Sequence, residues 1–299
     1  MRSDQVEPWE GELYMKIKKL GAMAIAGLMA ATIALTGCSG QAASGSAAGS
    51  SKSETTKTAK VDGAKKYALV KDGTLTVGTS ADYAPFEYKD DSGDYKGFDL
   101  ELAAKIADKL GLKVAYVNND FDSLVAGVAS GTKYDVSLSA ITETPERKKT
   151  VDFTGSYYMD DQAIVTKSDN GDITADNYSD KLNNADATLL VQSGTTAESF
   201  AKENFPKADV KAVKDATECF SMLQSDKGTA VVTNRSVAAQ LTADQFKTCH
   251  VVKMISTGEE YSIAINKGNT KLKGDINKAI KELTDDGTID KLMAEYKIK

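Results

Sequence analysis

Apolar positions recur along this chain in two alternating rhythms. Residues 75–79 alternate apolar and polar as a strand does, and a proline-containing loop at 80–87 and the turn Asp90-Asp-Ser-Gly93 follow. Leu102, Ile106 and Leu110 then share one face of a helix capped by Asp99 and stopped by Gly111. A strand at 112–117, a short helix at 122–129 and a strand at 134–138 continue the alternation. The second half repeats it, with strands at 162–167, 187–192, 210–213, 229–233, 251–255 and 261–265. Between them lie a helix after Thr196 and others at 219–224 and 236–241; residues 270–296 hold two helices broken at Gly287. Such alternation predicts an α/β fold with largely parallel sheets and ligands at the carboxyl ends of the strands.

One short stretch, Ser139-Ala-Ile-Thr-Glu-Thr-Pro-Glu-Arg147, carries the most chemistry. Thr144-Pro145 starts a helix, with Thr at the N-cap and Pro where a missing N–H costs nothing. Arg147 then sits in the first turn, beside unpaired N–H groups and the positive end of the helix dipole. A cation there is disfavoured by ~0.3–1 kcal/mol unless an anion joins it. The guanidinium fork, those N–H groups and the hydroxyls of Ser139 and Thr142 together suit a carboxylate. Pairing of Arg147 with Glu143, Glu146 or Asp152 on the surface is the alternative. Ser193-Gly-Thr-Thr196 repeats the arrangement, a glycine turn with hydroxyls at a helix start, though an ordinary N-cap reads the same way.

The N-terminal region has a different pattern. Residues 1–14 read as an upstream extension and 15–37 as a signal peptide, with lysines, then an apolar run, then Leu35-Thr-Gly-Cys38. That ending looks like a bacterial lipobox, so Cys38 is expected to be lipidated; an uncleaved membrane anchor is the alternative. Residues 38–64, rich in Ser, Ala, Gly, Thr and Lys, form a flexible tether. A net charge of −6 without basic blocks argues against nucleic acid as a partner. A single His and no His/Cys cluster at metal spacing argue against a metal, and nothing calls for a cofactor. Cys219 and Cys249 form an even pair in an exported domain, for which a disulfide is expected over two buried thiols.

Val77-Gly-Thr, Tyr83-Ala-Pro-Phe-Glu87, Gly97-Phe-Asp99, Thr144-Pro-Glu-Arg147, Val151-Asp-Phe-Thr154, Gln192-Ser-Gly-Thr-Thr196 and Asp286-Gly-Thr288 occur in register behind the lipobox. In that order they resemble the extracellular solute-binding proteins of polar amino-acid ABC transporters, family 3. The resemblance implies the two-lobed periplasmic-binding-protein fold of type II, each lobe a mostly parallel sheet flanked by helices, joined by a two-strand hinge. Lobe one would be residues 65–160 with 257–299, and lobe two 161–256. It implies a monomeric, non-enzymatic, lipid-anchored receptor on the extracytoplasmic face of the membrane, handing a polar amino acid to an ABC permease. Arg147 would bind the ligand α-carboxylate with Thr142, Thr195, Thr196 and the backbone near Ala140. Tyr83 and Phe121 would line the ligand side chain, and Ser80 and Gln192 would read it. Asn234 departs from the pattern, for the family usually has an ammonium-binding Asp there; Asp82 and Glu143 are the candidates to replace its charge. An enzyme dehydrating cyclic carboxylic acids, or a sensor uncoupled from transport, are the alternative functions.

Overall fold

The computed structural model describes residues 67–298. The extension, the signal peptide, Cys38 and the tether lie outside the described residues. The chain begins with β1 (Thr74–Thr79), followed by β2 (Asp82–Tyr83), β3 (Glu87–Lys89), β4 (Tyr95–Lys96), α1 (Phe98–Leu110), β5 (Lys113–Asn118), α2 (Phe121–Ser130), β6 (Val136–Ser137) and α3 (Pro145–Lys148). It continues through β7 (Asp152–Lys167), α4 (Tyr178–Leu182), β8 (Thr188–Gln192), α5 (Thr196–Asn204), β9 (Asp209–Val213), α6 (Ala216–Gln224), β10 (Ala230–Asn234) and α7 (Arg235–Asp244). It returns along β11 (Cys249–Ile265) and ends in α8 (Thr270–Asp285) and α9 (Thr288–Glu295).

Eight strands form one mixed sheet in the order β5-β1-β6-β11-β7-β10-β8-β9. The outer pairs β1/β5, β1/β6, β8/β9 and β8/β10 are parallel, as strand–helix–strand connections require. The long central strands β7 and β11 run antiparallel and connect the β1 side to the β8 side. Sequence reading sees only fragments of them, because Gly155, Met159-Asp-Asp161 and Ser256-Thr-Gly258 interrupt the apolar pattern. The turn expected at 90–93 is present and joins β3 to β4, while the 80–87 loop contributes β2 and the start of β3 to a small antiparallel sheet β2-β3-β4.

Leu102, Ile106 and Leu110 of α1 are buried, as their spacing predicts, in a core shared with Leu272 and Ile276 of α8 and Ile289 and Leu292 of α9. Gly97 sets the approach of α1 to the small sheet: at φ 124°, a Cβ there would lie 2.2 Å from the Phe86 carbonyl oxygen.

The expected disulfide is not formed. Cys219 and Cys249 are free buried thiols within the apolar core, and the Cys219 Sγ donates instead to the Asp215 carbonyl one helical turn back. Burial pushes both thiols above the ordinary range.

Candidate functional site

The Thr144 side chain accepts a hydrogen bond from Arg147 N at 3.2 Å, with Pro145 at the first helical position, as the sequence predicts. Arg147 does not pair with Glu143, Glu146 or Asp152. Its Nη1 donates to the Thr142 carbonyl at 2.7 Å and its Nη2 to the Gly194 carbonyl at 2.9 Å, while its guanidinium lies 5.4 Å from the Phe121 ring centroid. Glu143 bonds Lys148 and Glu146 bonds Lys149. Among the described residues Arg147 has no carboxylate partner within salt-bridge distance. Desolvation lowers its pKa to about 10, so it remains a cation at neutral pH.

Several groups expected to face a ligand make hydrogen bonds within the protein. Ser139 Oγ donates to Glu87 and accepts from Ser80 N. Ala140 N donates to Asp99 Oδ2 at 2.7 Å, and this alanine holds a left-handed φ of 47°. Thr195 caps α5, accepting from Glu198 N and donating to the Gln192 carbonyl. Ser80 Oγ donates to Asp82. Glu143, weighed as a replacement ammonium partner, is held by Lys148. The Tyr83 hydroxyl lies within hydrogen-bond distance of Thr233 and donates to Asn234 Oδ1 at 2.8 Å, so its ring belongs to the core and its tip to the contact between the two sides.

The centre of the site is a residue that sequence reasoning missed. Segment 141–143 pairs with β11: Ser262 N donates to the Ile141 carbonyl and Glu143 N to the Glu260 carbonyl. Thr142 is thereby brought against Glu259, a buried residue of β11. Thr142 Oγ1 and Thr196 Oγ1 each donate to Glu259 Oε2 at 2.6 Å, Asn234 Nδ2 reaches the same oxygen at 3.3 Å, and Gln162 Nε2 donates to Oε1. Thr142, Thr196 and Asn234, taken from three separate stretches of sequence, thus converge on one carboxylate. Glu259 is aimed there by a bulge. Ser256, Thr257 and Gly258 lie opposite the single residue Asp161, whose Oδ1 accepts from Thr257 N and Gly258 N. Gly258, with φ 62°, was the one available signal in the sequence.

Groups from the β1 side and the β8 side are in contact. Asp82, beside β1, accepts from Gln192 Nε2 and from Ala216 N, the first residue of α6, at 2.9 and 2.7 Å. Asp122 accepts from Ser193 Oγ, Asp120 pairs with Lys214, and Arg147 reaches Gly194. A side chain at Gly194 would meet the Cβ of Asp122 at 2.8 Å, so this glycine permits the close approach. Burial raises the Asp82 pKa to about 6.

Two groups of parallel strands joined by two crossing strands, with a cation, a buried carboxylate and convergent hydroxyls where they meet, make up this α/β protein. The chain belongs to the bacterial extracellular solute-binding proteins, family 3, whose profile matches residues 75–299. It is 34% identical over 226 residues to the arginine-binding extracellular protein ArtP of Bacillus subtilis, covering 74% of this chain and 85% of that one. It is 30% identical over 226 residues to the L-cystine-binding protein TcyJ of Escherichia coli, covering 75% and 82%. Among solved structures, an ancestral arginine-binding protein bound to glutamine superposes with a TM-score of 0.71 at 39% identity, covering 77% of this chain and 100% of that one. An ancestral amino acid-binding protein described as a precursor of cyclohexadienyl dehydratase gives a TM-score of 0.70 at 40% identity, covering 75% and 95%. The fold is therefore the type II binding-protein fold. Among the described residues, no helix is long and apolar enough to cross a membrane.

Proposed function

We propose that this protein is the substrate-binding component of an ABC importer for a polar amino acid, tethered outside the cytoplasm through lipidated Cys38 and acting as a monomer. Residues 65–160 with 257–299 form one lobe and 161–256 the other, the chain crossing between them in β7 and β11. The observation that carries this reading is Arg147. A buried guanidinium where the two strand groups meet, bonded only to carbonyls and lying over an aromatic ring, is complementary to a small carboxylate. Thr142 and Thr196 add hydroxyls that rotate onto it, and Phe121 presents a ring beside it. The relatives are named as binding proteins, in keeping with a receptor that releases its ligand unchanged. A thermal-shift screen of L-arginine, L-glutamine, L-histidine and L-cystine tests the proposal. One or more should raise the melting temperature, since a ligand bound only by the folded chain stabilises it; no shift with any of them counts against it.

Closure adds a pH dependence whose sign is fixed by Asp82. Its carboxyl is raised to about 6 by burial when the sides meet, with Asp215 nearby adding repulsion, and falls back toward 3.8 once open. A group whose pKa is raised in the closed form supports closure below the open-form value and loses that support as pH rises through about 6. Affinity for a bound amino acid should therefore weaken between about pH 4 and pH 6. Asp82→Asn should flatten that profile; calorimetric titrations at four pH values across the range measure it.

A further inference from the structure

We infer that Glu259 is the group that makes this cleft select amino acids over simple carboxylic acids, by accepting the ligand ammonium; this rests on the receptor reading above. Glu259 is a buried carboxylate whose hydrogen-bond partners are all neutral: the hydroxyls of Thr142, Thr196 and Thr257, and the amides of Gln162 and Asn234. No cation stands within salt-bridge distance of it among the described residues. The Arg147 guanidinium feels its charge only from beyond contact distance, so an arriving ammonium would give this buried carboxylate its first direct counter-charge.

Asn234 does not fill the role. Its Oδ1 is occupied by the Tyr83 hydroxyl, and its Nδ2 points at Glu259, so it offers the site a donor and no charge. Arg147 and Glu259 meet through a single residue: Arg147 holds the carbonyl of Thr142 while the hydroxyl of Thr142 holds Glu259. One positive and one negative group, separated by one threonine and unpaired with each other, match the two charges of a small zwitterion. On binding, the Thr142 and Thr196 hydroxyls turn from Glu259 to the ligand carboxylate. Glu259 Oε2 is then free for the ammonium. Before binding, the same hydrogen bonds hold the site in shape.

The test compares L-arginine, L-glutamine and L-histidine with their 2-hydroxy analogues by calorimetry on the wild type, Glu259→Gln and the double variant Glu259→Gln/Asn234→Asp. Glu259→Gln should weaken amino-acid binding about 10- to 100-fold, the difference between a charge-assisted and a neutral hydrogen bond, and leave the hydroxy acid within about threefold. The double variant returns a carboxylate to the adjacent position and should recover much of the preference, which a merely structural role for Glu259 would not produce. Amino-acid binding that survives Glu259→Gln, or that falls equally with hydroxy-acid binding and is not rescued, overturns this inference while the receptor reading stands. A wild type that binds none of the three amino acids, nor L-cystine, overturns both.

Discussion

Replacing Arg147 by alanine is expected to weaken binding of whichever amino acid the protein takes by at least about 100-fold, with little change in the melting temperature of the ligand-free protein. The first half follows from what the variant leaves behind: a ligand carboxylate in a closed cleft without its forked donor, a loss of about 3 kcal/mol or more. The second half follows from the present state of the guanidinium. Its desolvation already lowers its pKa, and it makes no salt bridge that folding would forfeit. The carbonyls of Thr142 and Gly194 that it now holds accept water once it is gone. Arg147→Lys should fall between, keeping the charge but losing the two-pronged geometry. Calorimetry and a thermal melt decide the matter together. Unchanged affinity in the alanine variant would remove Arg147 from the site, and a collapse of the melt would make it a structural residue.

Arg147 was legible because its placement is local. A Thr-Pro pair fixes a helix start within three residues, and the chemistry of that start does not depend on the rest of the chain. The helical face of Leu102, Ile106 and Leu110 was legible for the same reason. The length of β7 and β11 was not, because polar residues at the crossing interrupt the alternation while the ladder of backbone hydrogen bonds continues through them. Glu259 was hidden more deeply. Its direction is set by the three-residue bulge opposite Asp161, and a one-residue difference in register turns a strand side chain to the other face. The hydrogen bonds of Ser139 and Ala140 were not legible because their partners, Glu87 and Asp99, lie 52 and 41 residues away. Local pattern showed where polar groups gather, but not which of them face inward to support the others. The free thiols of Cys219 and Cys249 teach the same lesson, since an even count carries no geometry.

That supporting layer yields the second large effect. Glu87 and Asp99 are both fully buried; burial, with repulsion from Asp99, holds Glu87 far above the usual carboxylate range, and burial raises Asp99 to about 6. Glu87 Oε2 and Asp99 Oδ1 have no hydrogen-bond partner among the described residues. One proton shared between the two carboxyls would satisfy both oxygens. The remaining oxygens carry the binding loop: Glu87 accepts from Ser139 Oγ, and Asp99 Oδ2 accepts from Ala140 N and the Tyr157 hydroxyl. They hold Ala140 in a left-handed conformation that costs an alanine roughly 1–2 kcal/mol. Because both folded pKa values lie above their unfolded ones, the pair's contribution is complete below about pH 4 and is lost as pH rises through about 6 and beyond. The melting temperature should therefore fall between pH 5 and pH 8. Glu87→Gln, which keeps a donor toward Asp99 without a titrating proton, should flatten that decline. Asp99→Ala should instead destabilise by about 2–4 kcal/mol, orphaning Ala140 N and the Tyr157 hydroxyl and lowering the melting temperature by roughly 4–16 °C. Thermal melts of the three proteins across that pH range test the shared proton directly: a Glu87→Gln profile parallel to that of the wild type would show that no proton joins the two carboxyls.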